Sequence, residues 1–126
     1  MLFRSVHDVK ADGYVPYHYV ILPYVFFNET WIEAFEILPD NARVVHHCNM
    51  AYGAPGSNAG NETFITGYVP GGQPMDLGRF DNNVAFRIPK NSILGLQIHY
   101  TTTGKPEKCQ ISVGIRYPRQ IGRAHV

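Results

Sequence analysis

The sequence has little of what marks a membrane, nucleic-acid or disulfide-framework protein. No window of about 18 consecutive apolar residues occurs, so no membrane-spanning helix is expected. Eleven basic residues stand against ten acidic ones, for a formal charge of +1. They are scattered, whereas a phosphate backbone is met by a dense cluster of Lys and Arg, so nucleic acid is not expected as a partner. Two cysteines are present, Cys48 and Cys109. They could pair in an oxidising compartment, yet two in a chain of 126 residues make no disulfide framework. The opening residues, Met1-Leu2-Phe3-Arg4-Ser5-Val6-His7-Asp8, lack the apolar core and cleavage site of a signal peptide.

What is present favours a single β domain. Apolar residues make up 44% and charged residues 17%, which excludes the disordered class. The length is enough to bury a hydrophobic core without covalent staples. Glycine (12), proline (9) and tyrosine (8) alongside β-branched runs point to strands and turns over helices.

Residues 1–16 are mixed in polarity and broken by Gly13 and Pro16, and read as a leading segment. The apolar run Tyr17–Phe27 is a strand, with Pro23 marking a bend or bulge. Thr30–Leu38 alternates and is read as one strand, Trp31, Glu33, Phe35 and Ile37 facing one way and Ile32, Ala34, Glu36 and Leu38 the other. Strands are also expected at Ala42–Met50, Thr63–Val69, Asn83–Ile88, Ser92–Thr101 and Cys109–Tyr117. Tyr52–Asn61 is a loop, Pro70–Pro74 a turn, and Pro89-Lys90-Asn91 a hairpin-type corner. So many short strands between Gly, Pro and Asn turns predict an all-β fold, an antiparallel β-sandwich resembling a jelly roll. Asn28-Glu29-Thr30 and Asn61-Glu62-Thr63 match the short glycosylation acceptor pattern. The last six residues, 121–126 (IGRAHV), read as the translation of a sequencing-library adapter and are set aside from the fold.

Histidine is the residue type that carries chemistry here. His46 and His47 are adjacent at the end of Arg43-Val44-Val45, and His99 lies far downstream in Leu96-Gln97-Ile98-His99-Tyr100. Consecutive residues of a flat strand face opposite ways, so the pair can share a metal only through a twist or a strand end. The plain alternative is one core and one surface imidazole. In Ser92–Thr101, Leu94, Leu96, Ile98 and Tyr100 share one face, which leaves Gln97 and His99 on the other. Three neutral imidazoles suit copper, zinc, iron or nickel, and spacing does not choose among them. Cys48 and Met50, placed by alternation on the face of His46, are soft enough for Cu(I) but are read as core. His7 and His18 have no partners at ligand spacing.

The segments YHYVILPYVFFNETWIEAFEILPDNARVVHHC, GYVPGG, FRIPKNSILGLQIHYTTTGK and CQISVGIRY, taken in this order, resemble the first domain of the ascorbate-dependent type II copper monooxygenases. That is the family of peptidylglycine α-hydroxylating monooxygenase and dopamine β-monooxygenase, including bacterial relatives joined to redoxin-like or cytochrome-like modules. The likeness runs from about Asp12 to Pro118. Its specific parts are the His-His pair and the Leu-Gln-x-His-Tyr strand followed by Thr-Thr-Thr-Gly.

The resemblance implies that residues 17–119 form a copper-binding domain in which His46, His47 and His99 hold the electron-transferring copper, with Gln97 a polar neighbour. It implies an extracytoplasmic location, a small-molecule reductant such as ascorbate, and a second, C-terminal copper domain that hydroxylates a C–H bond with O2. That domain's His-x-His and Met are missing here, so the chain alone is expected to be inactive. The sequence departs from the animal enzymes in its cysteines, and no disulfide is carried over. Two other classes remain open from the residues alone: a zinc protein on a similar sandwich, and a metal-free interaction module using exposed Tyr and Phe.

Overall fold

Short alternating segments give eleven strands in the computed structural model, which describes residues 1–56, 60–80 and 84–118 together with 124 and 125. They are β1 (Leu2–Val9), β2 (His18–Phe26), β3 (Thr30–Ile32), β4 (Ala34–Pro39), β5 (Val45–Gly53), β6 (Thr63–Tyr68), β7 (Met75–Asp76), β8 (Val84–Ile88), β9 (Ser92–Tyr100), β10 (Glu107–Arg116) and β11 (Ala124–His125). One four-stranded sheet runs β1-β10-β4-β7 and another β2-β9-β5-β6, with a three-stranded sheet β11-β8-β3 beside them. All pairings are antiparallel except that of β11 with β8. The chain is an all-β sandwich, as its turn-rich composition predicts.

Between the sheets lies one apolar core. Phe35, Ile37, Ile111 and Val113 come from one side, and Met50, Leu94, Leu96 and Ile98 from the other. Each such side chain contributes roughly 1.5–3 kcal/mol on leaving water. Along β9 the burial alternates without a break from Ser92 to Tyr100, so Leu94, Leu96, Ile98 and Tyr100 face inward and Gln97 and His99 outward. Cys48 and Cys109 are free and buried, and Cys48 and Met50 have no exposed surface. Burial pushes the Cys48 thiol up to about 12, so it is an inert core residue.

The structure departs from the expected elements at five places. The leading segment contains a complete strand: all eight residues of β1 pair with β10, Leu2 opposite Gly114 through Val9 opposite Glu107. Its inner face includes Ser5 and His7, and that polarity hid the alternation. Thr30–Leu38 is two strands in different sheets. Ile32 and Phe35 are both buried, which a period of two forbids within one strand. The break falls at Glu33, whose backbone N–H donates to Arg116 O (2.8 Å) and whose carbonyl accepts from Leu77 N–H (2.8 Å). Its buried carboxylate accepts from Arg116 Nε at 3.0 Å. Ala42–Val44 is a 3-10 turn, and the strand that follows continues to Gly53, beyond Met50 and into the expected loop.

The corner at Pro89–Asn91 is no hairpin, because β8 and β9 belong to different sheets. Asn91 takes φ 60°, a left-handed conformation that Asn tolerates. Within the last six residues, 121–123 and 126 lie outside the described residues, while the backbone of Ala124–His125 pairs with Val84–Ala85. Residues 57–59 of the expected loop and Asn83 of the expected strand Asn83–Ile88 also lie outside them.

Candidate metal centre

A bulge solves the problem posed by two adjacent histidines. Across the β5/β9 ladder Val45 lies opposite Tyr100, and His47 lies opposite His99, with a register shift between them. The chain takes two steps on β5 for one on β9, and His46 is the additional residue. A bulge of this kind re-aims a side chain that regular alternation would turn away. Val45 stays buried, His46 is exposed, and His47 and His99 are half-buried on the outer face. Cys48 and Met50 therefore do not share a face with His46, as regular alternation had placed them: both point into the core.

The three imidazoles converge. One ring nitrogen from each of His46, His47 and His99 falls within 4.8 Å of the others. His46 Nδ1 and His47 Nδ1 are 3.1 Å apart, and the ring centroids of His46 and His47 lie 5.0 and 5.2 Å from that of His99. Metal–imidazole bonds of about 2.0–2.1 Å place ligand nitrogens about 3.3–4.2 Å apart, depending on angle. The cluster reaches that spacing with ring movement of about 1 Å, well inside what histidine rotamers supply. His99 Nδ1 is buried without any hydrogen-bond partner, and buried ring nitrogens seldom stay unpaired without reason. On these grounds the donor set fits a single cation.

Its surroundings favour a neutral ring at His47. Burial first, and then His99 and His46, hold the His47 imidazole below its ordinary value. A neutral imidazole is the form that ligates metal. No carboxylate or thiol joins the convergent group among the described residues. Bound charge would thus rest on three neutral donors at the solvent edge of a rigid sheet.

Tyr17, just before β2, adds a wall that nothing local in the chain singles out. Its ring centroid lies 5.3 Å from His99 and 5.9 Å from His47. Only the pairing of β2 with β9, His18 opposite Ile98, brings it there. Gln97 is one inward residue away from His99 along β9, and its amide bonds sideways. Its Nε2 donates to Tyr19 OH (3.1 Å), and its Oε1 accepts from Asn49 Nδ2 (3.5 Å). No hydrogen bond joins it to the three imidazoles. His7 and His18, set aside on spacing, meet each other inside the sandwich with centroids 4.1 Å apart; nothing local in the sequence signals a contact between the edges of two sheets.

Compared with known proteins, the sequence matches no protein-family model and no curated protein. Fold and geometry together define a β-sandwich whose outer face carries three imidazoles with ring nitrogens within 4.8 Å of one another.

Proposed function

We propose that this chain is a copper-binding, electron-transferring domain of a copper-dependent monooxygenase that hydroxylates C–H bonds using O2 and a reductant such as ascorbate. The observation that carries the reading is the convergence of His46, His47 and His99 within 4.8 Å. The resemblance of the His-His and Leu-Gln-x-His-Tyr segments to that family supports copper over the other metals that imidazole accepts.

When bound, copper would supply one-electron exchange between its two common oxidation states. The chain's own part is to hold three neutral nitrogens on neighbouring strands, where the β5/β9 ladder fixes their separation. Without an anionic ligand, the donor set binds the monovalent ion without a charge mismatch and still serves the divalent one. His46, exposed, leaves the site open to a small reductant in solution. Tyr17 limits access from the side of His47 and His99.

In this reading oxygen chemistry and substrate recognition belong to a second copper domain, with which the present domain works. The location is extracytoplasmic, where copper and ascorbate chemistry of this family takes place. No described helix is long and apolar enough to cross a membrane.

Metal titration tests the reading. The purified protein should take up about one copper per chain and gain thermal stability, because a ligand that binds only the native state must stabilise it. His99→Ala should abolish both effects. Stoichiometric zinc with binding unchanged in His99→Ala would identify a zinc protein, and no response to metal or chelator would identify a metal-free interaction module. Either outcome rejects the proposal.

A further inference from the structure

The two four-stranded sheets meet at a seam between β1, the edge of one, and β2, the edge of the other, and no backbone ladder joins these strands. The seam is held by rings. His7 from β1 and His18 from β2 are half-buried and stack with centroids 4.1 Å apart and planes 29° from parallel. Buried Tyr100 extends the stack, 4.9 Å from His7 with planes within 16°, and 6.2 Å from His18. Further along, Phe3 meets Tyr24 at 6.3 Å.

Each element packed against the pair has its own titratable groups. From β10, Cys109 lies opposite His7 as a buried thiol, and its proton is held more firmly by burial. From β9, Tyr100 keeps its phenolic proton above the ordinary range, through burial first and then the nearby Cys109 and Cys48 of β10 and β5. The carboxylates along the seam are engaged elsewhere. Asp8 pairs with Lys108 at 3.8 Å. Glu107, opposite Val9, accepts from Thr103 Oγ1 (2.7 Å), Asn41 Nδ2 (3.3 Å) and Arg43 (3.3 Å). The stacked imidazoles therefore have a thiol and a phenol beside them, and among the described residues no carboxylate bonds to either ring.

We propose that His7 and His18 form a pH-operated latch: as a neutral stack they close the β1/β2 seam, and protonation of the stack at His18 parts it and loosens these two edge strands. The pair lies on the core side of its sheets, whereas the three clustered imidazoles gather on the outer face, and the latch is independent of the copper reading. Burial first, and then His7, hold the His18 imidazole below its ordinary value. A base depressed in the closed state takes its proton more readily in the open one. The closed seam is thus favoured above the ordinary histidine range and loses that advantage as pH falls through it.

Histidine NMR with amide hydrogen exchange tests this on the intact chain. At pH 7.5 a nuclear Overhauser contact should join the His7 and His18 rings. At pH 5 that contact should vanish, and β1 and β2 amides, corrected for intrinsic rates, should exchange about tenfold or more faster relative to β5. His18→Phe keeps an aromatic stack but leaves a single imidazole in it, so that two positive rings can no longer face each other, and should remove the pH response. If that variant does not fold, His7→Phe serves the same purpose. A ring contact that persists at pH 5 overturns the latch. So does an unchanged pH response in the phenylalanine variant.

Discussion

His47 sits directly opposite His99 on the β5/β9 ladder, while His46 occupies the bulge that precedes the pair. Two neighbours in sequence thereby reach one point on the outer face, although a regular strand would separate them. Since His46 is exposed and contributes nothing to the core, its role and its packing can be tested apart. His46→Ala should change unfolding free energy by no more than about 0.5 kcal/mol. Metal affinity should fall by more than about a hundredfold, since even partners of ligands cost up to that much when removed. Urea denaturation and a competitive metal titration measure the two. Equal affinity in variant and wild type would remove His46 from the site.

Tyr17 stands over His47 and His99 through ring contacts, so its contribution rests on ring packing. Tyr17→Phe should bind metal as the wild type does, while Tyr17→Ala should bind about tenfold or more weakly as two ligand rings gain freedom. Parallel titrations decide it. A loss as large in the phenylalanine variant would show that the hydroxyl, and not the ring, matters.

How much of this was legible in the sequence depends on whether the governing contact was local. The alternation Leu94, Leu96, Ile98, Tyr100 placed His99 on the outer face, because β9 is central and regular. The same rule misplaced Cys48 and Met50 relative to His46, since no Gly or Pro marks the bulge. Ser5 and His7 disguised β1 as a polar leader. The split at Glu33 depends on Arg116, and the stack of His7 on His18 depends on two sheets meeting, and neither distance can be read along the chain. The proposal that three histidines form one site came from strand position and resemblance; only pairing register shows how adjacent rings reach it.

The split at Glu33 makes Gly78 a position where a side chain cannot fit. A Cβ there would overlap the Glu33 carboxylate and its Cγ, and that carboxylate is held by Arg116, which also reaches Asp76. Gly78→Ala should destabilise the fold by about 1–3 kcal/mol through overpacking. Thermal or urea unfolding reads this directly. A midpoint equal to wild type would mean that Glu33 swings free without cost.

Glu107 sets an acid limb for the same fold. Its carboxyl is held below the ordinary glutamate value, chiefly by the Thr103 hydroxyl, with Asn41 and Arg43 adding to it. An acid depressed in the folded state contributes stability above its unfolded value and loses it as pH falls through the folded one. Glu107→Gln should therefore lower the urea midpoint at pH 7 more than at pH 3. An equal difference at both pH values would show that the carboxylate's charge plays no part.

The central claim is that His46, His47 and His99 bind one copper together. Paramagnetic resonance of the Cu(II)-loaded protein measures this most directly. The expected spectrum has hyperfine structure from three imidazole nitrogens at about one copper per chain, reduced to two nitrogens or to unbound copper in His99→Ala. An identical spectrum in wild type and His99→Ala would contradict it.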